Sequence, residues 1–334
     1  MPAAEPRNVP IRVGAETVEP GRSRTFDLPV GRLPTGTWLS LPVRVVNGRY
    51  PGPNLWLSGA VHGDEINGVE IVRRLMPRVQ ARSLRGAVIA VPIVNLFGFV
   101  GETRYMPDRR DLNRSFPGSP RGSLASRLAH LFMTEVVEHC DVGIDFHTAT
   151  GHRVNLPQIR ADLDDPDTRR LAEAFGAPFV INARLRDGSL RASATRAGRT
   201  VLLYEAGQAH RFDDMAIDAG VDGVLRVMEA LGMGSWDVPR ARRPVEVSKT
   251  TWVRARRGGI ADLEVHLGDR VEPGDVIAVI GDALGSRPTR VKAPAAGWVI
   301  AATQNPLVSP GDALVHLAVP DVAGRDEPAE RRRR

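Results

Sequence analysis

The sequence predicts an α/β fold, in which a mostly parallel mixed sheet is flanked by helices, followed by a small all-β module at the C-terminus. Short apolar runs alternate with amphipathic segments over residues 54–232, the helical periodicity stops at about residue 233, and a turn-and-strand motif is then duplicated. Alternation of buried strands with helices is typical of open, largely parallel sheets. Duplicated turns followed by alternating apolar residues indicate a small barrel or sandwich.

The strands of the α/β part are predicted from apolar runs that are suited to burial on both faces. These runs are NLWLSGAV, GAVIAVPIVN, VGIDFHT, APFVINA and TVLLYEAG. Two earlier extended runs, RTFDLPV and TWLSLPVRVVNG, are separated by Gly and Pro and therefore favour edge strands.

Amphipathic segments between these runs predict helices that cover the sheet. In the first segment, apolar residues recur at intervals of three and four from Val69 to Val79 and mark one stripe. The segment SLASRLAHLFMTEVVEHC repeats this period, and DTRRLAEAFG and VDGVLRVMEALG each end in a glycine suited to a helix C-cap.

These changes of pattern predict four regions along the chain. We expect an α/β domain over residues 1–232, which includes the N-terminal edge strands, a linker over 233–248, a β module over 249–319, and a disordered tail over 320–334. In the module, VEPGDVIAVI and VSPGDALVHL share the motif Val-x-Pro-Gly-Asp. The module should therefore have internal pseudo-symmetry.

Composition and charge exclude several classes of protein. No apolar run approaches the roughly 18 residues of a membrane span, and the N-terminus lacks the basic start and apolar stretch of a secretory signal. Cys140 is the only cysteine, so no intrachain disulfide can form, which is compatible with a cytoplasmic location. The net charge is +6, but the basic residues are scattered among 39 acidic ones, so we predict no nucleic-acid binding.

Several polar residues that could carry chemistry follow or end predicted strands. His62 and Glu65, in GAVHGDEINGVE, follow one strand, and His147 ends another in GIDFHT. Because open α/β sheets place their sites at the carboxyl ends of strands, these side chains converge if the two strands are neighbours. Each motif alone is also compatible with a structural role, as a polar turn or a core histidine. Asp145, two residues before His147, is a candidate carboxylate to orient it.

Two further elements add candidate catalytic groups. Glu205 ends a third strand in LLYEAG, where it is suited to be a general base beside an activated water, or else a partner for an arginine. The loop TRYMPDRRDLNRSFPG is dense in arginine. Arg104 or Arg114 could bind a carboxylate or stabilise an oxyanion, and Asn113 adds a neutral donor and acceptor.

Jointly, these motifs resemble the succinylglutamate desuccinylase and aspartoacylase family of N-acyl amino acid amidohydrolases, which has a zinc carboxypeptidase-like fold. The matching pieces are HGDE, TRY with DLNRSFPG, DFHT and YEAG, in family order over about residues 50–230. The resemblance implies that one Zn²⁺ per chain is bound by His62, Glu65 and His147. It also implies that Glu205 is the general base, which later protonates the leaving amine.

The same resemblance assigns the substrate contacts. It implies that Arg104 polarises the scissile carbonyl, while Asn113 and Arg114 bind the α-carboxylate of a small N-acyl amino acid or related amide. The stretch TATGHRVNLPQIR departs from aspartoacylase, where Asn-Thr-Thr follows the histidine. Arg153 and Arg160 are therefore candidates only for reading a carboxylate of the substrate side chain.

The predicted β module resembles the hammerhead fold of biotinyl and lipoyl carriers, through its duplicated turns and the segment VKAPAAGWV. In a true carrier, the lysine to be modified sits at the tip of the hairpin between the repeats. That stretch reads GDALGSRPTRVKAP, in which Lys292 falls in the following strand rather than at the tip. We therefore expect an unmodified module that packs against the active site or covers it.

Two alternatives to a deacylase stay open. One is a metallocarboxypeptidase that acts on peptide C-termini, and the other is a catalytically silent binding protein of the same fold. The presence of all four metal and base candidates argues against the silent protein. Homo-oligomerisation is left open.

Overall fold

The structure, a computed structural model, describes residues 7–32 and 35–320. The α-helices of these residues are α1 (Asn67–Leu75), α2 (Leu96–Val100), α3 (Leu124–Glu135), α4 (Pro166–Phe175), α5 (Leu190–Arg196) and α6 (Asp214–Ala230). The strands up to residue 247 are β1 (Ile11–Val13), β2 (Glu16–Val18), β3 (Arg22–Arg32), β4 (Trp38–Asn47), β5 (Tyr50–Ser58), β6 (Arg85–Val91), β7 (Val142–Ala149), β8 (Arg153–Ala161), β9 (Phe179–Asn182), β10 (Thr200–Gln208) and β11 (Val245–Val247). The remaining strands are β12 (Lys249–Arg254), β13 (Gly259–Leu263), β14 (Arg270–Val271), β15 (Val276–Gly281), β16 (Thr289–Lys292), β17 (Gly297–Thr303), β18 (Leu307–Val308) and β19 (Ala313–Val319).

Thirteen strands of the described residues form one continuous mixed sheet. Its main path runs β12-β19-β17-β8-β10-β7-β5-β6-β4-β3, while β9 pairs with β8 and β11, and β14 pairs with β17. The four central strands β6, β5, β7 and β10 are parallel to one another, and β3 and β4 form an antiparallel pair at one edge. The predicted α/β fold with a mixed sheet flanked by helices is therefore confirmed.

Helices cover both faces of the sheet. Apolar residues of α1, α4 and α6, such as Leu75, Phe175 and Val224, pack against one face, and α3 packs against the other through Leu128 and Phe132. The apolar periodicity in the sequence predicts these contacts, because each helix buries the stripe that recurs every three or four residues. The helix α4 ends at Gly176, whose φ of 78° suits the C-cap expected there.

The strands from β12 onward complete the fold. A four-stranded antiparallel sheet, in the order β16-β15-β13-β18, forms a separate layer. Its apolar residues share a core with β12, β17 and β19, and β17 also pairs with β8. Within the predicted linker, β11 pairs with β9. The predicted tail from 321 onward lies outside the described residues.

No helix in the described part of the chain is long and apolar enough to cross a membrane.

Candidate active site

The carboxyl end of β5 leads directly into the first two candidate ligands. His62 and Glu65 lie in the turn between β5 and α1, with relative exposures of 4% and 2%. The backbone N–H of Glu65 donates to the carbonyl of His62 at 3.1 Å, so the two side chains are held on one turn. His147 is also buried and lies near the end of β7, which neighbours β5 in the sheet.

Glu65 stands between the two histidines. Its Oε1 lies 2.7 Å from Nδ1 of His62, and its Oε2 lies 2.8 Å from Nδ1 of His147. The backbone N–H of Thr148 also donates to Oε2 at 3.0 Å. One ligand atom from each of the three side chains falls within 4.8 Å of the others, so the set could hold a metal ion.

The outer nitrogens of both imidazoles face carboxylates. Nε2 of His147 lies 2.8 Å from Asp145 Oδ2, and the hydroxyl of Ser58 donates to Oδ1 of the same carboxylate at 2.8 Å. Nε2 of His62 lies 3.2 Å from Asp111 Oδ1. Carboxylates in this position orient metal-binding histidines and raise their basicity, so the donor set fits Zn²⁺.

Electrostatics within this cluster favour a bound cation. Burial acts to raise the pKa of Glu65, but the charges of His62 and His147 outweigh it and hold the pKa below its ordinary value. Burial acts to lower the pKa of each histidine, whereas the facing carboxylates raise it above the ordinary value. A metal that binds here would displace the imidazole protons, so its affinity should depend on pH.

Arg104 is already part of the cluster. Its Nη1 donates to Glu65 Oε1 at 3.2 Å and its Nη2 donates to Asp111 Oδ2 at 2.9 Å. Burial acts to raise the pKa of Asp111, but His62 and Arg104 lower it, so this carboxylate stays charged. Asp111 opens the motif Asp-Leu-Asn-Arg, but nothing in the sequence alone indicates its contacts with His62 and Arg104.

Glu205 lies on the strand next to the metal-ligand candidates. Parallel pairing of β10 with β7 places it directly beside His147. The side-chain amide of Asn155, on β8, donates to Glu205 Oε2 at 2.8 Å. Burial raises the pKa of Glu205, and the positive charges of Arg160 and His147 offset part of that rise. No motif in the sequence indicates this role for Asn155.

Asn113 and Arg114 lie on the other side of the histidines, in the short turn Leu112–Arg114. Asn113 is buried, and its Oδ1 accepts the backbone N–H of Leu190 at 2.9 Å. Its Nδ2 lies 3.5 Å from Nε2 of His147. Arg114 donates to the carbonyl of Asn113, and burial lowers its pKa. The first residue of α5 thus fixes Asn113 close to the cluster.

A cavity of about 380 Å³ joins these groups. All seven candidate residues from the sequence line it, together with Asn155 and with Trp252 from β12. The cavity is strongly basic, because arginines greatly outnumber its two glutamates. These arginines are Arg104, Arg114, Arg153, Arg160, Arg184, Arg186 and Arg191.

Comparison with known proteins gives a consistent result. Residues 51–231 match the family model of the succinylglutamate desuccinylase/aspartoacylase catalytic domain. The chain is 32% identical over 295 residues to N-alpha-acetyl-L-2,4-diaminobutyric acid deacetylase from Halomonas elongata. The aligned region covers 83% of this chain and 85% of the relative.

Solved structures share the fold along almost the whole chain. A succinylglutamate desuccinylase/aspartoacylase from Rhodobacter sphaeroides has a TM-score of 0.81 and 28% identity, over 93% of this chain and 99% of that one. An ectoine utilization protein from Ruegeria pomeroyi has a TM-score of 0.79 and 24% identity, over 89% and 94%. The family model matches more than half of the chain, and the Halomonas elongata relative is 32% identical over the aligned region. Together they confirm the resemblance seen in the motifs. The chain belongs to the succinylglutamate desuccinylase/aspartoacylase family.

Proposed function

We propose that this protein is a zinc-dependent deacylase that hydrolyses the amide bond of a small N-acyl amino acid. One Zn²⁺ per chain would be held by His62, Glu65 and His147. The observation that supports this most strongly is the approach of both imidazole Nδ1 atoms to Glu65, at 2.7 and 2.8 Å, with Glu205 paired beside His147 in the sheet. Two histidines and a glutamate form the ligand set of hydrolytic zinc sites such as carboxypeptidase A.

In this proposal, individual side chains have separate roles in catalysis and substrate binding. A bound Zn²⁺ supplies a Lewis acid that polarises the carbonyl and makes water more acidic. Glu205 takes a proton from the attacking water and returns it to the leaving amine. Arg104 stabilises the negative charge that develops on the carbonyl oxygen. Asn113 and Arg114 bind the α-carboxylate and hold the amide in place.

The charge of the cavity bears on which substrates fit. Apart from Arg104, none of its arginines forms an ion pair with a described carboxylate. Its two glutamates are assigned to the metal and to proton transfer. A substrate with a second ammonium group, such as the diaminobutyrate derivative named for the relative, would therefore meet repulsion rather than a partner. We favour N-acyl amino acids whose remaining groups are neutral or anionic.

The test is a hydrolysis assay on the zinc-loaded protein. The panel holds N-acetyl and N-succinyl derivatives of neutral, acidic and diamino amino acids, beside peptides with free C-termini. We expect release of amine from the neutral or acidic derivatives, loss of activity on chelation, and recovery with Zn²⁺. Cleavage of peptides alone would favour the metallocarboxypeptidase, and absence of both bound metal and turnover would favour the silent binding protein.

A pair of variants tests the role of the base. Glu205→Gln should lower kcat by about 10³-fold, because proton transfer is lost, while zinc content stays at that of the wild type. Glu138→Gln, an exposed site outside the cavity, is the matched control and should keep full activity. Full activity in Glu205→Gln would contradict the mechanism. The cytoplasmic location and the oligomeric state remain predictions.

A further inference from the structure

A line of four paired residues connects the general-base candidate to the C-terminal strands. Asn155 on β8 lies opposite Ala301 on β17, Ala301 opposite His316 on β19, and His316 opposite Trp252 on β12. Residues directly opposite each other in antiparallel strands point to the same face of a sheet. Trp252 therefore lies on the face that carries Asn155 and its bond to Glu205, which explains why it lines the catalytic cavity.

Trp252 is held between two flat groups. The ring of His316 stacks on it at a centroid distance of 4.2 Å and an angle of 3°, and the guanidinium carbon of Arg153 lies 5.5 Å from the indole centroid. Because a stack at 4.2 Å leaves no space between the rings, the guanidinium must cover the other face of the indole. Burial, with the nearby Arg160 and Arg153, lowers the pKa of His316 to about 3. The imidazole is thus neutral at physiological pH and does not repel the arginines.

The same strands fix the backbone of Arg153. In the β8-β17 pairing Arg153 lies opposite Thr303, and the N–H of Gln304 donates to the carbonyl of His152 at 2.6 Å. The side chain uses only its Nε, which donates to Thr150 at 3.0 Å. Both terminal amino groups therefore lack a partner among the described residues, and Arg153 lines the cavity.

Arg160, which lines the same cavity, also has donors without a hydrogen-bond partner among the described residues. Its Nε is buried without a hydrogen-bond partner among the described residues, and its Nη2 makes one long contact of 3.4 Å with Gln158. Two guanidinium groups with unused donors in one cavity are suited to an anionic oxygen pair, since arginine binds carboxylates through parallel N–H bonds.

We propose that the C-terminal β strands take part in substrate recognition, with Trp252 as the positioning residue that holds Arg153 for a second carboxylate of the substrate. This inference rests on the proposed deacylase function. The carboxylate would belong to the acyl group or to the amino acid side chain, and Arg160 would share it. The neutral imidazole of His316 supports the indole by stacking against it.

The test compares substrates that differ in that carboxylate alone. N-acetylglutamate is paired with N-acetylglutamine, and an N-succinyl amino acid is paired with its succinamyl analogue. For Trp252→Ala we expect the KM of the acid to rise about 10-fold relative to that of the matched amide in one of the two pairs, as loss of an ordered charge-assisted contact predicts. The pair that responds shows whether the carboxylate is on the side chain or on the acyl group. Trp252→Phe, which keeps a flat ring, should restore most of the difference.

Trp38→Ala is the matched control. Trp38 also lies under an arginine, with the guanidinium carbon of Arg32 at 4.8 Å from its ring centroid, but it is exposed at the start of β4 and lies outside the cavity. An equal change of KM for acids and amides in Trp252→Ala would overturn the inference, and so would failure of Trp252→Phe to restore the difference.

Equilibrium binding separates this inference from the function on which it rests. The dissociation constants of N-acetylglutamate and N-acetylglutamine, and of the succinyl pair, are measured by calorimetry in zinc-loaded Glu205→Gln with and without Trp252→Ala. Absence of hydrolysis by the wild type would contradict the proposed function. If the binding preference for the acid disappears in the double variant, the role of Trp252 is supported even when the wild type does not hydrolyse the substrate. If that preference persists in the double variant, the role of Trp252 is overturned.

Discussion

Glu205 is the residue whose surroundings matter most for the proposed reaction. It is half-buried near the end of β10, beside His147 and opposite Gln158 in the sheet, and the described hydrogen bond to its carboxylate comes from Asn155. A carboxylate that must accept and return a proton needs a fixed direction as well as a suitable pKa. Asn155 fixes that direction by donating to Oε2, so in the proposed reaction Oε1 would be the oxygen that faces the attacking water.

Replacing Asn155 with Leu should therefore slow the chemical step. A hydrogen bond to a charged group contributes about 1.5–3 kcal/mol, so we expect kcat to fall about 10- to 100-fold with little change in KM. Steady-state kinetics measure this, with zinc content and thermal midpoint determined on the same samples. Asn182→Leu, outside the cavity on β9, is the control. A fall in zinc content equal to the fall in kcat would show that Asn155 is only structural.

At the scale of single residues, the sequence is sufficient to indicate candidate site residues that lie in local motifs. His62, Glu65, His147 and Glu205 each follow or end an apolar run, and the structure brings them together. Asp111 lies in a quoted motif, but its contact with His62 spans 49 residues of sequence. The contact of Asn155 with Glu205 spans 50. No periodicity in the sequence reports such distant contacts.

Among the elements that the sequence did not predict, β8 matters most for the site, because it carries Asn155 and Arg160. Its sequence, RVNLPQIRA, contains Pro157, which argues against a central strand. The structure accommodates the proline at a bulge, since Gln158 pairs with Glu205 while Asn155 pairs with Gly207. The extra residue on β8 changes which side chains face Glu205. The alternation of the sequence alone would therefore have placed them incorrectly.

The turn between β5 and α1 depends on close packing against α2. A Cβ on Gly63 would lie 1.9 Å from the carbonyl carbon of Gly98 and 2.2 Å from the N of Phe99. Only a residue without a side chain fits there unless the turn moves. Because His62 and Glu65 flank Gly63, any such shift would move both of them.

Gly63→Ala should therefore weaken zinc binding by at least about 10-fold, since ligands must be held to within about 0.5 Å. Competition with a chromophoric chelator measures the affinity. Gly31→Ala is the matched control, because a Cβ there meets no atom within 4 Å. Wild-type zinc affinity in Gly63→Ala would show that the turn can shift without disturbing its ligands.

In the molecule as a whole, the C-terminal strands extend the catalytic sheet. The strand β17 pairs with β8, and β11, inside the predicted linker, pairs with β9. One apolar cluster joins Phe179, Ile181 and Val247 to Trp298 and Ile300. The sequence predicts a β module after a linker, because the helical periodicity stops at about residue 233. That change of pattern marks where helices end, but it carries no information on which strand edges pair across it.

This arrangement predicts that the described parts unfold together. Removing β17 and β19 would expose an edge of β8 and part of the apolar cluster, so neither side is expected to be stable alone. Calorimetry on the full chain should show a single transition, with equal calorimetric and van't Hoff enthalpies.

Trp298→Ala should destabilise the fold by about 3–5 kcal/mol. The variant should also increase the rate of backbone amide exchange in β8 and β9 as well as in β17 and β19. All four strands either contribute to that apolar cluster or pair with a strand that does. Leu284→Ala, at a site that is 91% exposed, is the control and should leave both measurements unchanged. Two separate transitions, or faster exchange confined to residues 249–319, would contradict this coupling and show that the predicted β module unfolds by itself.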